Sequence, residues 1–322
     1  MKLGIVGAGT IVQPFLSAAL EVKEIQLSAI CGLEQDKERM EQLSHTFSIP
    51  QIYYDYTQLL NSDVETIYIA VPNHLHYRFA KKALENKKHV ILEKPFASSY
   101  AQAKALIDLA KEKNVIIFEA ITNQYLPNYH KTKELLPQLG DIKIVQLNYS
   151  QYSRRYDQFK QNIILPVFDP KQSGGALMDL NVYNIHFIVG LFGRPQQIHY
   201  LANIEKGIDT SGILTFDYPT FKCVAIGAKD CQSPVAINIQ GDQGYIHSDM
   251  PSNVYGHFEF GLNHKETQPF NHQPKSRLTY EIEAFVHLVT QQDQDGIKKA
   301  NEQTLLVMEI LDEARKQVGI KF

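Results

Sequence analysis

The sequence predicts an α/β protein with two domains. A doubly wound parallel sheet comes first, and an α+β domain with a large, mostly antiparallel open sheet follows. Three observations support this class. Short β-branched apolar runs alternate with amphipathic stretches over residues 1–120, a glycine-rich turn joins the first run to the first stretch, and the alternation stops near residue 120. Continuous apolar runs are typical of parallel strands buried on both faces, and strand–helix alternation produces a doubly wound sheet.

The elements of the first domain follow from their local patterns. The helix over residues 99–113 has the clearest start, because Ser99 and Gln102, three positions apart, form a capping box. The predicted strands are Leu3–Val6, Gln26–Cys31, Thr66–Val71, His89–Leu92 and Val115–Phe118, and the predicted helices span residues 10–20, 36–47, 74–86 and 99–113.

The second half of the chain has a different pattern, so we place the domain boundary near residue 120, between domains 1–120 and 121–322. Short alternating strands from Gln197 to Phe260, separated by turn residues, predict an antiparallel sheet with one covered and one open face. The other predicted elements are a helix after Pro127, a long strand Ile142–Tyr152, a helix Gly175–Phe192 and closing helices at about 278–292 and 301–317.

The composition argues against several classes of protein. Lys and Arg number 32 and Asp and Glu number 35, which gives a formal charge of −3, so we expect no nucleic-acid partner. No apolar run approaches the ~18 residues of a membrane span, so we expect no membrane partner. Cys31, Cys223 and Cys231 form no CxxC motif and are expected to be buried, reduced thiols of a cytoplasmic protein. The histidines lack metal-ligand spacing, and no metal site is predicted.

The glycine-rich turn, GAGTIV at residues 7–12, lies between the first strand and the first helix. Gly7 permits the tight turn, Gly9 lets the backbone approach a pyrophosphate, and the helix start at Thr10 and Ile11 offers unpaired N–H groups. The final valine stands where the dinucleotide fingerprint has Gly or Ala. The turn predicts dinucleotide binding; the alternatives are a turn chosen only for packing and the related loop of an adenosylmethionine-dependent methyltransferase.

The end of the second strand leaves the choice of nicotinamide cofactor open. Gly32 and Leu33 occupy the positions where an NAD enzyme offers Asp or an NADP enzyme offers Ser and Arg. Neither side chain can bind a 2′-hydroxyl or pair with a 2′-phosphate. We expect the backbone of Gly32 at the cofactor and either NAD or NADP as that cofactor.

Two polar motifs follow the fourth and fifth predicted strands. Pro72 and Asn73 begin the first motif, His76 ends it, and Glu93 with Lys94 forms the second. Ligands of doubly wound folds bind at this edge, where the carboxyl ends of the strands meet. A buried ammonium that keeps its proton can polarise a carbonyl group or lower the pKa of a neighbouring hydroxyl. The alternative for Lys94 is a solvated lysine at the end of a strand.

These motifs, with one more, make the chain resemble the Gfo/Idh/MocA family of oxidoreductases over essentially its whole length. The motifs are residues 7–12, Pro72-Asn73-x-x-His76, Glu93-Lys94-Pro95 and the segment SGGALMDLNVY at residues 173–183. The resemblance implies a Rossmann domain. Its implied cofactor contacts include the residues of the two motifs at the sheet edge, which are Pro72, Asn73, His76, Glu93 and Lys94. It also implies sugar-like or polyol-like substrates and a homodimer or larger oligomer formed through the open C-terminal sheet.

The segment at residues 173–183 carries chemistry of its own. Asp179 and Tyr183 are four positions apart, so they project from one helix face, and the two glycines before the helix are expected to let its start approach a ligand. In the role that the resemblance implies, Tyr183 exchanges the proton of the substrate oxygen and Lys94, held by Glu93, favours the tyrosinate. Asp179 then orients the substrate hydroxyl or Lys94. Without the family, Tyr183 would be interpreted as a core tyrosine.

The sequence departs from the family pattern at several positions. His186 stands where many members have Asp, and Thr122 and Gln124 stand near the place of Trp and Arg in many tyrosine-type members. His186 and Arg155 are candidate substrate contacts; the alternatives are a structural histidine and a solvated arginine. The pocket is therefore predicted to be less cationic and less aromatic than in those members, and their substrates cannot be transferred.

The leading hypothesis is an NAD(P)-dependent oxidoreductase that transfers a hydride between nicotinamide and a sugar, polyol or similar hydroxy or keto compound. Two alternatives stay open. One is a cofactor-binding sensor without turnover, against which the presence of Lys94, Asp179 and Tyr183 argues. The other is a glycoside-cleaving enzyme that recycles a bound NAD in each turnover.

Overall fold

The computed structural model describes residues 1–322, and the chain forms two compact units. The first unit contains residues 1–120 and 278–305, and the second contains residues 121–277 and 306–322. Each unit contains both helices and strands, and the two units are described in turn.

Residues 1–120 form six strands and five helices, with single 3₁₀ turns before α2 and α4. In chain order they are β1 (Lys2–Val6), α1 (Val12–Ala19), β2 (Gln26–Cys31), α2 (Lys37–Phe47), β3 (Gln51–Tyr53), α3 (Tyr56–Leu60), β4 (Thr66–Ile69), α4 (His76–Glu85), β5 (His89–Glu93), α5 (Tyr100–Lys113) and β6 (Ile117–Ala120).

The six strands form one parallel sheet in the order β3-β2-β1-β4-β5-β6. The order reverses between β1 and β4, which confirms the predicted doubly wound sheet and places a ligand crevice at the carboxyl ends of these strands. The central strands are buried throughout because both faces are covered, as their continuous apolar runs predict. The predicted cap at Ser99 is also confirmed, since its Oγ accepts the N–H of Gln102 at 3.3 Å, whereas Gln102 Oε1 accepts the N–H of Ser98, one residue before the cap, at 3.1 Å.

The remaining elements belong to residues 121–322. In chain order they are α6 (Pro127–Leu135), β7 (Ile142–Ser150), α7 (Arg154–Lys160), α8 (Val182–Phe192), β8 (Gln197–Glu205), β9 (Ile208–Asp217), β10 (Lys222–Ala228), β11 (Ala236–Gly241), β12 (Gly244–Ser248), β13 (Phe258–Leu262), β14 (Gln268–Phe270), α9 (Arg277–Thr290) and α10 (Gln294–Gln317). Short 3₁₀ turns lie at Thr122–Tyr125, Leu136–Leu139, Pro166–Phe168 and Pro170–Gln172, and a π-helical turn at Leu177–Asn181 leads into α8.

The second unit contains an eight-stranded sheet in the order β14-β13-β12-β11-β7-β10-β9-β8. All neighbouring pairs are antiparallel except β7 and β10, which are parallel. Side chains alternate between the two faces: Leu214 and Phe216 are buried, whereas Ile213 is 41% exposed. The predicted α+β domain with a covered and an open sheet face is thus confirmed.

Two expectations about apolar residues need correction. The helical segment Pro170–Phe192 has the length and the apolar composition of a membrane span. However, 78% of its apolar 18-residue stretch is buried inside the protein. We therefore interpret this segment as a core helix. Cys31 and Cys223 are buried as expected, but Cys231 is exposed, because it lies in the loop after β10.

Candidate active site

The glycine turn after β1 has the geometry that its sequence predicts. Gly7 has φ +108°, and a Cβ there would lie 2.3 Å from the backbone oxygen of Ala70, so only glycine fits. A Cβ on Gly9 would meet nothing within 4 Å, so the backbone there faces open space. Helix α1 then begins at Val12 with no capping side chain and no acidic residue in its first turn. These residues, with Thr10 and Ile11, fit a dinucleotide phosphate because the start of the helix carries the positive dipole end, although the N–H of Val12 already donates to the oxygen of Gly9 and Pro14 has none.

Gly32 packs closely against another part of the protein, so a larger residue would not fit there without a shift of its neighbour. A Cβ at this position would lie 2.7 Å from Sδ of Met40, on the helix that follows. The adjacent Leu33 is 61% exposed. A cation that the sequence analysis did not consider lies on the same helix: Arg39 donates to Oε1 of Gln13 at 2.8 Å and to Oε1 of Gln42 at 3.0 Å.

His76 lies in the interior and connects the two sheet-edge motifs. Its ring is fully buried, with Nδ1 2.9 Å from the backbone oxygen of Pro95 and Nε2 2.9 Å from that of Val71. Burial lowers the pKa of His76 to about 4, although both carbonyl groups act in the opposite direction. A neutral imidazole has one N–H and donates to one of the two oxygens. We therefore interpret His76 as the residue that positions the loops beginning with Pro72-Asn73 and Lys94.

The loop of Lys94 is held from a second side by a buried carboxylate. Glu119, at 4% exposure, accepts the N–H of Phe96 at 3.2 Å and the hydroxyl of Thr304 at 2.7 Å. Sequence analysis missed both Glu119 and Thr304. The sequence does indicate a special role for Glu119. A carboxylate inside the apolar run VIIFEA is expected to be buried and therefore to need a hydrogen-bond partner.

Glu93 precedes Lys94 and is engaged by a tyrosine. Its Oε1 accepts the hydroxyl of Tyr68 at 2.6 Å, and the ring of Tyr68 stacks on Phe15 with centroids 3.6 Å apart. Both Glu93 and Lys94 are half-buried. A lysine held in this way differs from a freely solvated lysine at a strand end.

In the second unit, the glycines before the π-helical turn make room for protein atoms. A Cβ on Gly174 would lie 2.6 Å from the backbone oxygen of Pro166, and a Cβ on Gly175, whose φ is +104°, would lie only 2.1 Å from Oδ1 of Asp209. The expectation that these glycines admit a ligand is therefore replaced by a packing role. Asp209 Oδ2 accepts the N–H of Leu177 at 2.6 Å and the hydroxyl of Tyr200 at 2.8 Å. Burial raises the pKa of Asp209 to about 6.

Asp179 lies in the π-helical turn, a geometry that is frequent at functional sites. Its carboxylate, 29% exposed, forms an ion pair with the ammonium of Lys229, which is 6% exposed. Lys229 directly follows β10 and was not predicted as a site residue. The two lysines share one feature, because Lys229 directly follows β10 as Lys94 directly follows β5, but β10 alternates buried and more exposed residues and so gives a weaker signal.

Tyr183 lies in the first turn of α8 and is 8% exposed. Its ring centroid is 6.4 Å from that of Tyr149, and its backbone oxygen accepts the side-chain amide of Asn123 at 2.7 Å. His186 on the same helix is fully buried, with Nδ1 2.7 Å from Nε2 of Gln124. This burial favours a structural histidine.

Arg155 lies at the start of α7, where its N–H donates to Ser153 Oγ at 3.3 Å. Its side chain is exposed. This placement fits the solvated arginine that the sequence analysis left open beside a substrate contact.

Comparison with known proteins gives the class. A family described as "Oxidoreductase family, NAD-binding Rossmann fold" matches residues 1–121, and the "GFO/IDH/MocA C-terminal domain" matches residues 129–247. The scyllo-inositol 2-dehydrogenase (NADP⁺) of Bacillus subtilis is 32% identical, with 100% of this chain and 98% of that protein covered. The trans-1,2-dihydrobenzene-1,2-diol dehydrogenase of Xenopus tropicalis is 26% identical, with coverage of 100% and 99%.

Solved structures share the fold. The 3-ketoreductase KijD10 of Actinomadura kijaniata, in complex with NADP, superimposes with a TM-score of 0.84 at 18% identity, covering 98% of this chain and 97% of that one. The fold, the glycine turn and these matches define a nicotinamide-dinucleotide-dependent oxidoreductase. The chain belongs to the Gfo/Idh/MocA family, and the resemblance seen in its motifs is thereby confirmed.

Proposed function

We propose that the protein is an NAD(P)-dependent dehydrogenase or reductase of a polyol or sugar-like hydroxy or keto compound, with Lys94 and Tyr183 as the proton-transfer pair. The observation that carries the proposal is the environment of the Lys94 loop: the Pro95 oxygen lies 2.9 Å from Nδ1 of the buried His76, and the N–H of Phe96 donates to Glu119. A lysine that only solubilises the surface needs no such support. A binding protein without turnover needs neither this lysine nor Tyr183.

The proposed chemistry assigns one task to each side chain. The nicotinamide, when bound, supplies or accepts the hydride. Tyr183 holds or releases the proton of the substrate oxygen, and Lys94 supplies the positive charge that a phenol, with an ordinary pKa of roughly 10, needs near neutral pH. Asp179 accepts a hydrogen bond from a substrate hydroxyl, because its carboxylate is the exposed member of its ion pair.

The substrate class rests on what the named relatives share. They act on inositol, on a dihydrodiol and on a keto group, so secondary alcohols or ketones are common to all of them. Solved structures of the ketoreductase include variants with one lysine or one tyrosine replaced, the two residue types that we assign to proton transfer. These relatives support a carbinol with a neighbouring oxygen as the reacting group.

We also propose that NADP is preferred over NAD. Arg39 bonds two amide oxygens and no carboxylate, so its charge is not neutralised by a protein anion. Gly32 and Leu33 carry no carboxylate at the positions that would face a 2′-phosphate, and the nearest carboxylate, Glu34, lies in the 3₁₀ turn that follows. Arg39→Gln should weaken NADPH binding roughly tenfold or more and leave NADH binding unchanged, with Lys37→Gln as the control. An equal loss for both cofactors would contradict this role.

The open sheet face supports a homodimer or larger oligomer. Leu201, Ile213 and Ile226 lie in one cross-strand row of β8, β9 and β10 and point away from the covered face. Leu201 is 67% exposed and Ile144, on the same face, is 49% exposed. A patch of exposed apolar side chains of this kind marks a protein interface.

The decisive experiment compares Tyr183→Phe and Lys94→Met with the wild type. Turnover is measured with NADP⁺ or NAD⁺ on inositols, aldoses and a cyclic dihydrodiol, and with NADPH on the matching ketones. We expect kcat to fall roughly 100-fold or more in both variants, the scale of general acid–base catalysis. NADPH binding, followed by its fluorescence, should survive in Tyr183→Phe. Tyr149→Phe, which alters the neighbouring ring, is the matched control, and full turnover by Tyr183→Phe would refute the proposal.

A further inference from the structure

Lys229 is the buried cation of the second unit that no predicted motif includes. Its side chain is 6% exposed, its ammonium contacts Oδ2 of Asp179, and it lies 5.9 Å from the ring centroid of Phe168. Burying an ammonium is unfavourable unless a partner compensates, and here the partner is the carboxylate four positions before Tyr183. The buried ammonium of Lys229 therefore depends on the carboxylate of Asp179.

We infer that Lys229 is a positioning residue that keeps Asp179 ionised and oriented, and thereby makes the site select a substrate with a neutral hydroxyl group beside the reacting carbon. This inference rests on the proposed function, because it assigns Asp179 to the substrate. Only the carboxylate of the pair is accessible, so the site presents a hydrogen-bond acceptor to the substrate. A hydroxyl donates to such an acceptor, whereas a carboxylate or phosphate at that point of the substrate is repelled.

The backbone around Lys229 is fixed by hydrogen bonds. Its N–H donates to the oxygen of Thr210 at 2.9 Å, and its own oxygen accepts the N–H of Ser153 at 2.9 Å. The parallel pairing of β7 with β10 brings Ser153 and Lys229 to the same edge, because both residues follow the carboxyl ends of those strands. Thr210 follows Asp209, which holds the start of the helical segment with Asp179. Neighbouring residues of β9 thus fix both members of the ion pair.

The other acidic groups near Lys229 have their own partners. Asp230 Oδ2 accepts the hydroxyls of Thr210 at 2.7 Å and Ser211 at 2.8 Å. Glu205 Oε1 accepts the hydroxyl of Tyr156 at 2.6 Å. Asp179 is therefore the carboxylate with which Lys229 forms its ion pair.

The effect of Lys229 on Asp179 also balances charge near Tyr183. An ionised carboxylate one turn away disfavours loss of the phenol proton, and the ammonium of Lys229 offsets that repulsion. Without Lys229, Asp179 would lose the charge partner that orients its carboxylate and stabilises the ionised form.

The test is a double-mutant cycle on the best substrate found in the panel above. Lys229→Met should lower kcat/KM roughly 10- to 100-fold in the wild-type background and less than about threefold in the Asp179→Asn background. Lys229→Arg should recover part of the loss. Lys222→Met is the matched control, because Lys222 begins the strand that Lys229 follows and pairs with exposed Asp217. It should leave kcat/KM unchanged.

A second readout does not depend on turnover. In an infrared pH titration, the protonated-carboxyl band of Asp179 should persist to higher pH in Lys229→Met than in the wild type, and Lys229→Met/Asp179→Asn should lack this band. If Lys229→Met does not fold, the doubly neutral variant is compared with Asp179→Asn alone. A further loss of more than about tenfold in the double variant would overturn the inference.

The outcomes separate the two proposals. If Asp179→Asn and Tyr183→Phe both keep full activity, the proposed function is wrong. If those variants lose activity while Lys229→Met keeps it and its carboxyl band titrates as in the wild type, the role of Lys229 alone is wrong.

Discussion

Asp209 Oδ2 accepts the backbone N–H of Leu177 at 2.6 Å, so a residue 32 positions later in the chain holds the start of the helical segment with Asp179 and Tyr183. The same oxygen accepts the hydroxyl of Tyr200 at 2.8 Å. The carboxylate is therefore a structural acceptor inside the second unit, buried at 1% exposure.

This buried carboxylate gives a pH dependence of stability with a defined sign. The pKa of Asp209 is raised to about 6 in the folded protein and is about 3.9 in an unfolded chain. Between these values the folded state binds more protons, so the contribution of Asp209 to the free energy of unfolding falls as the pH rises from about 4 to about 6. Urea unfolding of the wild type and Asp209→Asn should show this fall in their difference. The exposed Asp217→Asn is the control, and a pH-independent difference for Asp209→Asn would contradict the assignment.

The two glycines of the turn after β1 should respond differently to alanine. Gly7→Ala combines a positive φ with a contact at 2.3 Å, so it should destabilise the protein by more than about 1 kcal/mol. Gly9→Ala meets no protein atom and should change stability by less than about 0.5 kcal/mol. Its methyl group occupies the surface that a pyrophosphate approaches, so we expect NADPH affinity to fall at least about tenfold. Urea unfolding and fluorescence titration measure both effects, and unchanged binding by Gly9→Ala would exclude this phosphate site.

Thr304 supports Glu119, and its removal is measurable as stability. Thr304→Val keeps the shape but deprives a buried carboxylate of a hydrogen bond of 2.7 Å, so the free energy of unfolding should fall by about 1–3 kcal/mol. Thr290→Val is the control, because that exposed hydroxyl bonds only a helix carbonyl at 2.8 Å. Equal stabilities of the two variants would show that the bond to Glu119 contributes nothing.

A charged substitution on the open sheet face tests whether that face forms an oligomer interface. Leu201→Arg should reduce the particle mass measured by light scattering, because an arginine within an apolar interface is buried without a partner. Leu20→Arg is the matched control, since Leu20 is 62% exposed, against 67% for Leu201, and lies in the first unit. Identical masses for wild type and Leu201→Arg would place any oligomer interface elsewhere.

The regular elements of the first unit could be predicted because their signals are local. β2 matches its predicted bounds, and α2 and α5 begin within one residue of theirs. β3 was missed because its three half-exposed or exposed residues produce no apolar run, and no helix was predicted at α7, which is short and polar. The helix predicted from Gly175 begins at Leu177, since both preceding glycines pack against protein atoms.

The site was predictable where a residue belongs to a motif and less so where its partner is distant in the chain. Lys94, Asp179 and Tyr183 follow from motifs. Lys229 lies 50 positions from Asp179, and its pairing depends on how the π-helical turn packs against β10, which residue spacing does not show. The roles of Gly174 and Gly175 were misjudged for the same reason, because the atoms that require them come from other segments.

The burial of two of the three cysteines has a practical consequence. Cys31 and Cys223 are 3% exposed, and burial raises the pKa of Cys31 to about 11 and that of Cys223 further, so both thiols react slowly. Cys231 is exposed and lies two residues after Lys229. A maleimide dye should therefore label the natural sequence at one defined point, beside Leu201 and Ile213 of the open sheet face, and its fluorescence would report association through that face.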